Sequence, residues 1–394
     1  MKRILFVDDD PTILESLQRM LRPMRHEWAM HFANSGEEAI GILEREPFHV
    51  VVTDMRMPVM DGASLLACVR DRFPAMARIV LSGQTDREAA MRSVRVAHQH
   101  LHKPCEPQAL KAAVARVCAL TELLSNESLR QLVAGLQSIP SLPAVYEALR
   151  VAVERDSVTF AEIGDIVAQD PGLTAKLLQV VNSAFFGLPR QLASPHEAVR
   201  LLGMELVRSM VLGSAVFTSG DTRLARRFGI EGLWQFSLRS SALAKRIAAD
   251  LGLPRILQDF AQAGGLLHAL GRVILAFGTP EAYAAALAEA QREHEPLFMA
   301  ERAALGSSHA QVGAYLLGLW GLPPTVVEAV AFHPYPLDCP HDSPGAVTAV
   351  HTAVALMAEA REGSVAFPLS EPYLATLGLG DRLAAWRALA EELD

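Results

Sequence analysis

The feature that most constrains this fold is a series of short apolar runs in the first 120 residues, each ending in a polar or charged residue. The runs ILFV and VVVT are followed by Asp8 and Asp54, and the run IVL is followed by Ser82. Segments with the apolar spacing of a helix, such as Pro11–Leu21, lie between these runs. Strands that alternate with helices of this length indicate βαβ units and therefore a parallel sheet.

The remainder of the chain has almost no strand signal, and its apolar residues recur at helical spacing. Clusters of turn residues interrupt the helical segments, among them DPG at 170–172 and GLP at 252–254. This pattern predicts an all-α region after the α/β region. We place a first domain at residues 1–120, a helical linker at 121–135 and a second domain at 136–394.

Composition and charge disfavour several classes of protein. A formal net charge of -8 over 394 residues argues against broad, sequence-independent binding of nucleic acid. The apolar run near the N-terminus is too short for a signal peptide, and no apolar stretch is long enough to predict a membrane span. The four cysteines are scattered without CxxC spacing, as is typical of a reducing compartment. We therefore expect a cytoplasmic protein with no membrane partner.

The polar residues at the strand ends predict a binding site. In an open parallel sheet, ligands bind at the carboxyl ends of the strands, which brings Asp8, Asp9 and Asp54 together. Three carboxylates at one place favour a hard divalent cation, most simply Mg²⁺. The hydroxyl of Ser82 and the ammonium of Lys103 beside such a cluster would form a receptacle for a phosphoryl group. Aspartates at strand ends often serve only to cap the following helix. Four kinds of group at successive strand ends make a purely capping role a poor explanation here.

The same segments resemble the receiver domain of two-component response regulators. The matching stretches are FVDDD, VVTDMRMPVMDG, LSG at 81–83 and KP at 103–104, in order, between residue 2 and about residue 120. The resemblance implies a doubly wound, five-stranded parallel sheet of the flavodoxin-like kind. It also implies that Asp54 accepts phosphate from a sensor histidine kinase or a phosphotransfer protein.

The resemblance assigns further roles to individual residues. Asp9, Asp54 and the backbone carbonyl of Arg56 would bind Mg²⁺, with Asp8 acting through a water molecule. In the same scheme, one hydroxyl and one aromatic position change conformation on phosphorylation, and a lysine contacts the phosphoryl group. These positions are occupied here by Ser82, His100 and Lys103.

The helical region carries a second resemblance, to the HDOD domain, an all-α relative of the HD metal-dependent phosphohydrolases. The matching stretches run from about residue 136 to about residue 335. They are IGDIVAQDPGLTAKLLQVVNSAFFG, SPHEAVRLLG, GGLLHALGRVIL and HAQVGAYLLGLWGLP. In the catalytic HD relatives, metal is held by a histidine, an adjacent His-Asp pair and a distant aspartate.

This sequence departs from that ligand pattern. Phe236 stands at the position that we assign to the first histidine, Ala269 follows His268 where an aspartate is expected, and Val354 replaces the last aspartate. No GYP triplet of the cyclic-dinucleotide phosphodiesterases is present. We interpret the histidines that remain as relics that do not bind metal, although a mononuclear site made of histidines alone stays open: His268, His309, His333 and His351.

The sequence therefore predicts a response regulator that is not an enzyme. Phosphorylation of Asp54 would control how the HDOD domain binds another signalling protein or a nucleotide ligand, and receivers often form homodimers. One alternative is a receiver-gated HD phosphohydrolase acting on a cyclic dinucleotide. Another is a transcriptional regulator, since Phe160–Asn182 has a helix-turn-helix outline. DNA binding is disfavoured because the second helix of that segment has Lys176 as its single cation.

Overall fold

The computed structural model forms two compact units. The first comprises Met1–Gln137, Gln179–Gln191 and Gly318–Gly321, and the second comprises the intervening segments and the C-terminal part of the chain. The structure describes residues 1–82, 96–103, 105, 107–124, 126–136, 139–141, 143–155, 157–183, 188, 190–212, 218–219, 221–359 and 367–393.

A five-stranded parallel sheet forms the centre of the first unit, with the strand order β2-β1-β3-β4-β5. Its central strands read as continuous apolar runs because both faces are covered, and every residue of the third strand is buried. The predicted parallel sheet is thus confirmed. The strands are β1 (Lys2–Val7), β2 (Trp28–Ala33), β3 (Val50–Asp54), β4 (Ala77–Ser82) and β5 (Gln99–His102).

Helices connect these strands. The first begins at the side chain of Asp10, which accepts a hydrogen bond from the amide of Thr12 and so satisfies a backbone donor that the helix itself cannot pair. The helices described in this part of the chain are α1 (Pro11–Leu21), α2 (Gly36–Leu43), α3 (Gly62–Arg72), α4 (Pro107–Leu123) and α5 (Glu127–Gly135); a 3₁₀ turn spans Arg22–His26.

The described residues beyond α5 are predominantly helical, which confirms the predicted all-α region. The helices are α6 (Pro143–Glu154), α7 (Phe160–Ala168), α8 (Pro171–Val181), α9 (Pro195–Leu202), α10 (Met204–Leu212), α11 (Thr222–Arg227), α12 (Ile230–Asp250), α13 (Arg255–Leu267), α14 (Leu270–Gly278), α15 (Pro280–Glu293), α16 (Leu297–Leu305), α17 (His309–Leu319), α18 (Pro324–Phe332), α19 (Ala346–Glu359), α20 (Glu371–Thr376) and α21 (Leu383–Glu391). Two-residue strands β6 (Pro140–Ser141) and β7 (Thr218–Ser219) pair with each other, and 3₁₀ turns span Pro336–Asp338 and Gly380–Arg382.

The core of the second unit is built around α19, which is buried along almost its entire length and packs against α12, α13 and α18. A helix that is apolar on all sides is stable only when other helices surround it. Gly271 in α14 permits a close approach, because a Cβ at that position would lie 1.8 Å from the carbonyl oxygen of His309. This contact fixes the start of α17 beside the start of α14.

One helical stretch among the described residues, Arg255–Gly278, is long and apolar enough by composition to cross a membrane. Most of its apolar window, 78%, is buried inside the protein, as in the core helix of a globular domain. The stretch is therefore weak support for a membrane span.

Candidate functional site

The sheet brings the predicted acidic residues to one edge. Val7 lies opposite Thr53 in the register of β1 and β3. The next residues on the two strands, Asp8 and Asp54, therefore lie side by side at the carboxyl edge of the sheet. Both carboxylates are buried, with exposures of 2% and 8%, whereas Asp9 is exposed. Two carboxylates buried side by side require a compensating cation.

Lys103 supplies that charge within the protein. Its ammonium lies 2.7 Å from Oδ2 of Asp8 and also forms an ion pair with Oδ1 of Asp54. Burial lowers the pKa of Lys103, but hydrogen bonds to Asp54 and Asp8 outweigh this effect, and the net result is a raised pKa. The side chain is therefore a stable cation that bridges the two carboxylates.

Backbone amides hold the remaining carboxylate oxygens. The amide of Arg56 donates to Oδ2 of Asp54 at 2.8 Å, and the amide of Asp10 donates to Oδ1 of Asp8 at 3.1 Å. Hydrogen bonds to both oxygens restrict the rotation of each carboxylate. Asp54 is consequently presented in one orientation at the carboxyl end of β3.

The loop after β3 folds back over this strand end. The amide of Gly62 donates to the carbonyl of Met55 at 3.0 Å, and Asp61 caps α3 by accepting from the amide of Ser64. A Cβ at position 62 would lie 2.1 Å from the backbone oxygen of Asp54, so only glycine allows this approach. The loop thereby holds the backbone of Arg56 beside the Asp54 carboxylate.

Ser82 and His100 lie on the neighbouring strands. Ser82 is the last residue of β4, one position beyond Leu81, which pairs with Asp54. His100 is 7% exposed and lies opposite Val80 in the pairing of β4 with β5. Residues 83–95, which follow Ser82, lie outside the described residues.

The oxygen donors at this edge suit Mg²⁺ chemically. Carboxylates from Asp8, Asp9 and Asp54, together with the Arg56 carbonyl, are hard ligands of the kind this ion prefers. The ammonium of Lys103 contacts the same carboxylate oxygens, so a divalent ion would compete with it. In the part of the chain that the structure describes, no group of three or more His, Cys, Asp or Glu side chains is already arranged to hold a metal ion.

The second unit contains a buried cluster of imidazoles. The ring of His333 contacts those of His268 and His309, with centroid distances of 5.1 and 5.7 Å. The phenyl ring of Phe367 packs against His309 and His333, and that of Phe236 packs against His268. We call these three histidines and two phenylalanines the histidine chamber.

Each histidine of the chamber is anchored through Nδ1. His268 donates to the carbonyl of Gly265 at 2.7 Å, and His333 donates to the carbonyl of Val330 at 2.8 Å. His309 Nδ1 lies 2.6 Å from Oε2 of Glu301, and the same oxygen accepts from the His309 amide. With Nδ1 donating, the Nε2 atoms of neutral His268 and His333 carry lone pairs, and the Nε2 atoms of all three histidines are buried without a partner among the described residues.

His351, the fourth predicted relic, has a different environment. Its Nδ1 donates to the carbonyl of His333 at 2.7 Å, and its Nε2 accepts from the amide of Ser370 at 2.9 Å. Because both ring nitrogens are used, this side chain joins α19 to the segment before α20.

Burial keeps the imidazoles of His268, His333 and His351 neutral. Desolvation lowers the pKa of His268 to about 3 and that of His351 to about 4, and it holds the pKa of His333 well below the usual value. Neighbouring histidines act in the same direction on His268 and His333, since two close imidazolium ions would repel each other.

The positions assigned to the missing HD ligands are apolar and buried. Phe236 is 5% exposed and its ring centroid lies 5.6 Å from that of His268, while Ala269 and Val354 are at most 1% exposed. Glu301 was not predicted from the sequence. No local pattern marks it, since its role depends on α16 lying beside the start of α17.

Comparison with known proteins agrees with this architecture. Residues 139–336 match the family model of the HDOD domain, and residues 4–115 match that of the response regulator receiver domain. The crystal structure of the MmoQ response regulator from Methylococcus capsulatus is similar, with a TM-score of 0.50 and 26% sequence identity. That similarity covers 64% of this chain and 98% of the MmoQ chain.

Curated relatives match parts of the chain. An uncharacterised protein from Treponema pallidum is 30% identical over 203 residues, which is 50% of this chain and 38% of that protein. The response regulator protein FleR of Pseudomonas aeruginosa is 35% identical over 126 residues, which is 32% of this chain and 26% of FleR. The chain thus spans well under half the length of these relatives. By its two matched domains, it belongs to the two-component response regulators that join an N-terminal receiver domain to a C-terminal HDOD domain.

Proposed function

We propose that a partner histidine kinase or phosphotransfer protein phosphorylates Asp54, and that this modification controls an interaction of a non-catalytic HDOD domain with another signalling protein. The observation that carries the proposal is the ammonium of Lys103 held between the carboxylates of Asp8 and Asp54. A receiver domain implies a histidine kinase or phosphotransfer partner. We further propose that the protein acts in the cytoplasm.

The receiver residues can perform the transfer in a simple way. An oxygen of the oriented Asp54 carboxylate forms the new P–O bond while the N–P bond of the donor's phosphohistidine breaks, and the imidazole leaves with the electron pair. Asp8, Asp9 and the Arg56 carbonyl would hold Mg²⁺, which supplies charge neutralisation for the phosphoryl oxygens. Lys103 then exchanges its contact with the Asp54 carboxylate for one with the phosphoryl group, and the hydroxyl of Ser82 can donate to the same group.

The HDOD domain is better suited to binding than to hydrolysis. HD chemistry needs a metal-activated water, and the positions that we assign to three of its ligands hold Phe236, Ala269 and Val354. The bare Nε2 lone pairs of the histidine chamber repel an anion, which argues against a phosphate or a nucleotide phosphate at this place. These observations favour a protein partner over a nucleotide ligand.

The first test uses a small-molecule phosphodonor such as acetyl phosphate with Mg²⁺. We expect one phosphoryl group per chain in the wild-type protein and none after the substitution Asp54→Ala, measured by mass spectrometry of the intact protein and of its peptides. Asp10→Asn is the matched control, because asparagine can still cap α1 and Asp10 lies beside the site. Equal incorporation in the Asp54→Ala variant would show that Asp54 is not the acceptor.

A further inference from the structure

A buried arginine lies at the end of the receiver sheet opposite to Asp54. Arg78, near the start of β4, is 2% exposed, and its guanidinium donates to backbone carbonyls. Its Nε donates to Val96 at 2.6 Å and its Nη1 donates to Met76 at 3.2 Å. A buried cation held by several carbonyls keeps a fixed position, because each bond that is lost leaves a desolvated polar group.

This arginine also reaches α5. Its Nη2 donates to the carbonyl of Ala134 at 2.7 Å, and Nε2 of His98 lies 3.0 Å from the same oxygen. The ring of His98 accepts from the amide of Arg78 through Nδ1 at 3.1 Å. Nε2 of His98 also lies 2.8 Å from Nη2 of Arg78, so the imidazole, the guanidinium and the Ala134 carbonyl form one buried polar cluster. Two buried side chains therefore converge on one carbonyl.

The acceptor lies in the last turn of its helix. The final four carbonyls of an α-helix lack donors within the helix, and the negative end of the helix dipole favours a cation there. The start of α5 is capped by the side chain of Asn126, and its buried residues are Leu129, Val133 and Ala134. The bond from Arg78, with the ring of His98 against both groups, therefore supplies a polar anchor for the C-terminal end of α5, next to a small apolar face.

The same two strands connect this anchor to the phosphoacceptor edge. β4 carries Arg78 near its beginning and Ser82 at its end. β5 follows directly on His98 and precedes Lys103. The two side chains expected to contact a phosphoryl group are thus each four or five residues along an extended strand from an anchor residue.

We propose that Arg78 and His98 form a latch that holds the end of α5 on the receiver, and that phosphorylation of Asp54 loosens it. The second unit begins at Ser138, directly after this helix, so release of α5 changes how the output domain is tethered. The contacts of the latch are present whether or not Asp54 is phosphorylated in the cell. The control of the latch, in contrast, rests on the proposed phosphorylation of Asp54.

Hydrogen exchange on the full chain tests the proposal, with beryllium fluoride and Mg²⁺ as a stable analogue of the phosphoryl group. Binding of the analogue is followed separately by ¹⁹F NMR. We expect amides in the last turn of α5 to exchange about tenfold faster when the analogue is bound, as after the loss of one or two hydrogen bonds. Amides of β1 and β3 in the same sample serve as the internal control and keep their protection.

Two variants separate the latch from general destabilisation. Arg78→Lys removes the forked donor, and His98→Asn retains an acceptor for the Arg78 amide while it is too short to reach Ala134. We expect each variant to show the faster exchange of α5 without the analogue, and the analogue to add little. Unchanged α5 exchange in His98→Asn would overturn the latch. If the analogue binds to the wild-type protein and the exchange of α5 does not change, phosphorylation does not control the latch. If the analogue does not bind, both this control and the proposed function are overturned.

Discussion

At the scale of single residues, the ammonium of Lys103 and a divalent ion have to share the same oxygens. Replacing Lys103 by Met leaves the carboxylates of Asp8 and Asp54 without their internal cation. We therefore expect Mg²⁺ to bind about tenfold more tightly to this variant, because an unpaired buried carboxylate gains more from a cation. Isothermal titration calorimetry with MgCl₂ measures the change, and Lys111→Met on α4 is the control.

A weaker Mg²⁺ affinity in Lys103→Met than in the wild type would mean that the ammonium organises the ion site rather than competing for it. The direction of the change in Mg²⁺ affinity therefore distinguishes competition from organisation of the site. The control should keep the wild-type affinity, since Lys111 lies outside the carboxylate edge.

Single residues were also the most predictable part of the site. The positions of Asp8 and Asp54 at strand ends are enough to predict that they lie together, since parallel strands share one carboxyl edge. The register of β1 and β3 places them side by side at that edge. Glu301 and Arg78 were not predicted. Their partners, His309 and Ala134, are 8 and 56 residues away in sequence, and such contacts depend on how whole elements pack.

At the scale of elements, the start of α3 sets the loop that orients Asp54. Gly62→Ala forces a Cβ against the backbone oxygen of Asp54, which cannot move away as a flexible side chain could. We expect a loss of about 2–4 kcal/mol in the unfolding free energy of the first unit, as for other changes that overpack a core. Hydrogen exchange of the β1 and β3 amides across a urea series reports the unfolding of this unit.

The matched control is Gly41→Ala. Gly41 lies inside α2, and a Cβ there would meet nothing within 4 Å. Alanine in a helix is favoured over glycine by about 1 kcal/mol, so this variant should be slightly more stable than the wild type. If both variants shifted the transition equally, the close approach at Gly62 would not be what holds the loop.

Elements differ in how well their sequences reveal them. The apolar runs of β1, β3 and β4 predict buried strands because both faces of a parallel sheet are covered. Among the described residues, the edge strand β2 pairs with β1 alone, and the interior of its sequence WAMHFA is partly exposed. It therefore lacks a continuous apolar run, and only the resemblance to receiver domains implied it.

At the scale of the whole molecule, the buried histidines link the stability of the second unit to pH. His268, His333 and His351 are buried and neutral when folded, and burial depresses the pKa of each, to about 3 for His268 and about 4 for His351. In an unfolded chain their pKa returns to about 6.5. Between these values the unfolded chain binds more protons, so the free energy of unfolding must fall as the pH drops below about 6.5.

The expected size follows from the same linkage. His268 and His351 each contribute a loss of about 2 kcal/mol between pH 6.5 and pH 5, because one pKa unit corresponds to about 1.4 kcal/mol, and His333 acts in the same direction. Above about pH 7.5 all three are neutral in both states and their contribution is constant. Exposed carboxylates with lowered pKa values, such as Asp250 beside Arg382, titrate below this window. Acid therefore acts first on the histidines.

Urea unfolding of the second unit at pH 7.5, 6 and 5 measures this dependence. His268→Phe is the informative variant, because it removes one of the three groups and should reduce the pH slope by about a third, whatever its effect on absolute stability. A slope that is unchanged in this variant would show that His268 is already solvated and titrates alike in both states. A reduced slope would mean that the chamber stays dry in solution, and that its bare Nε2 atoms lower the stability of the fold that carries them.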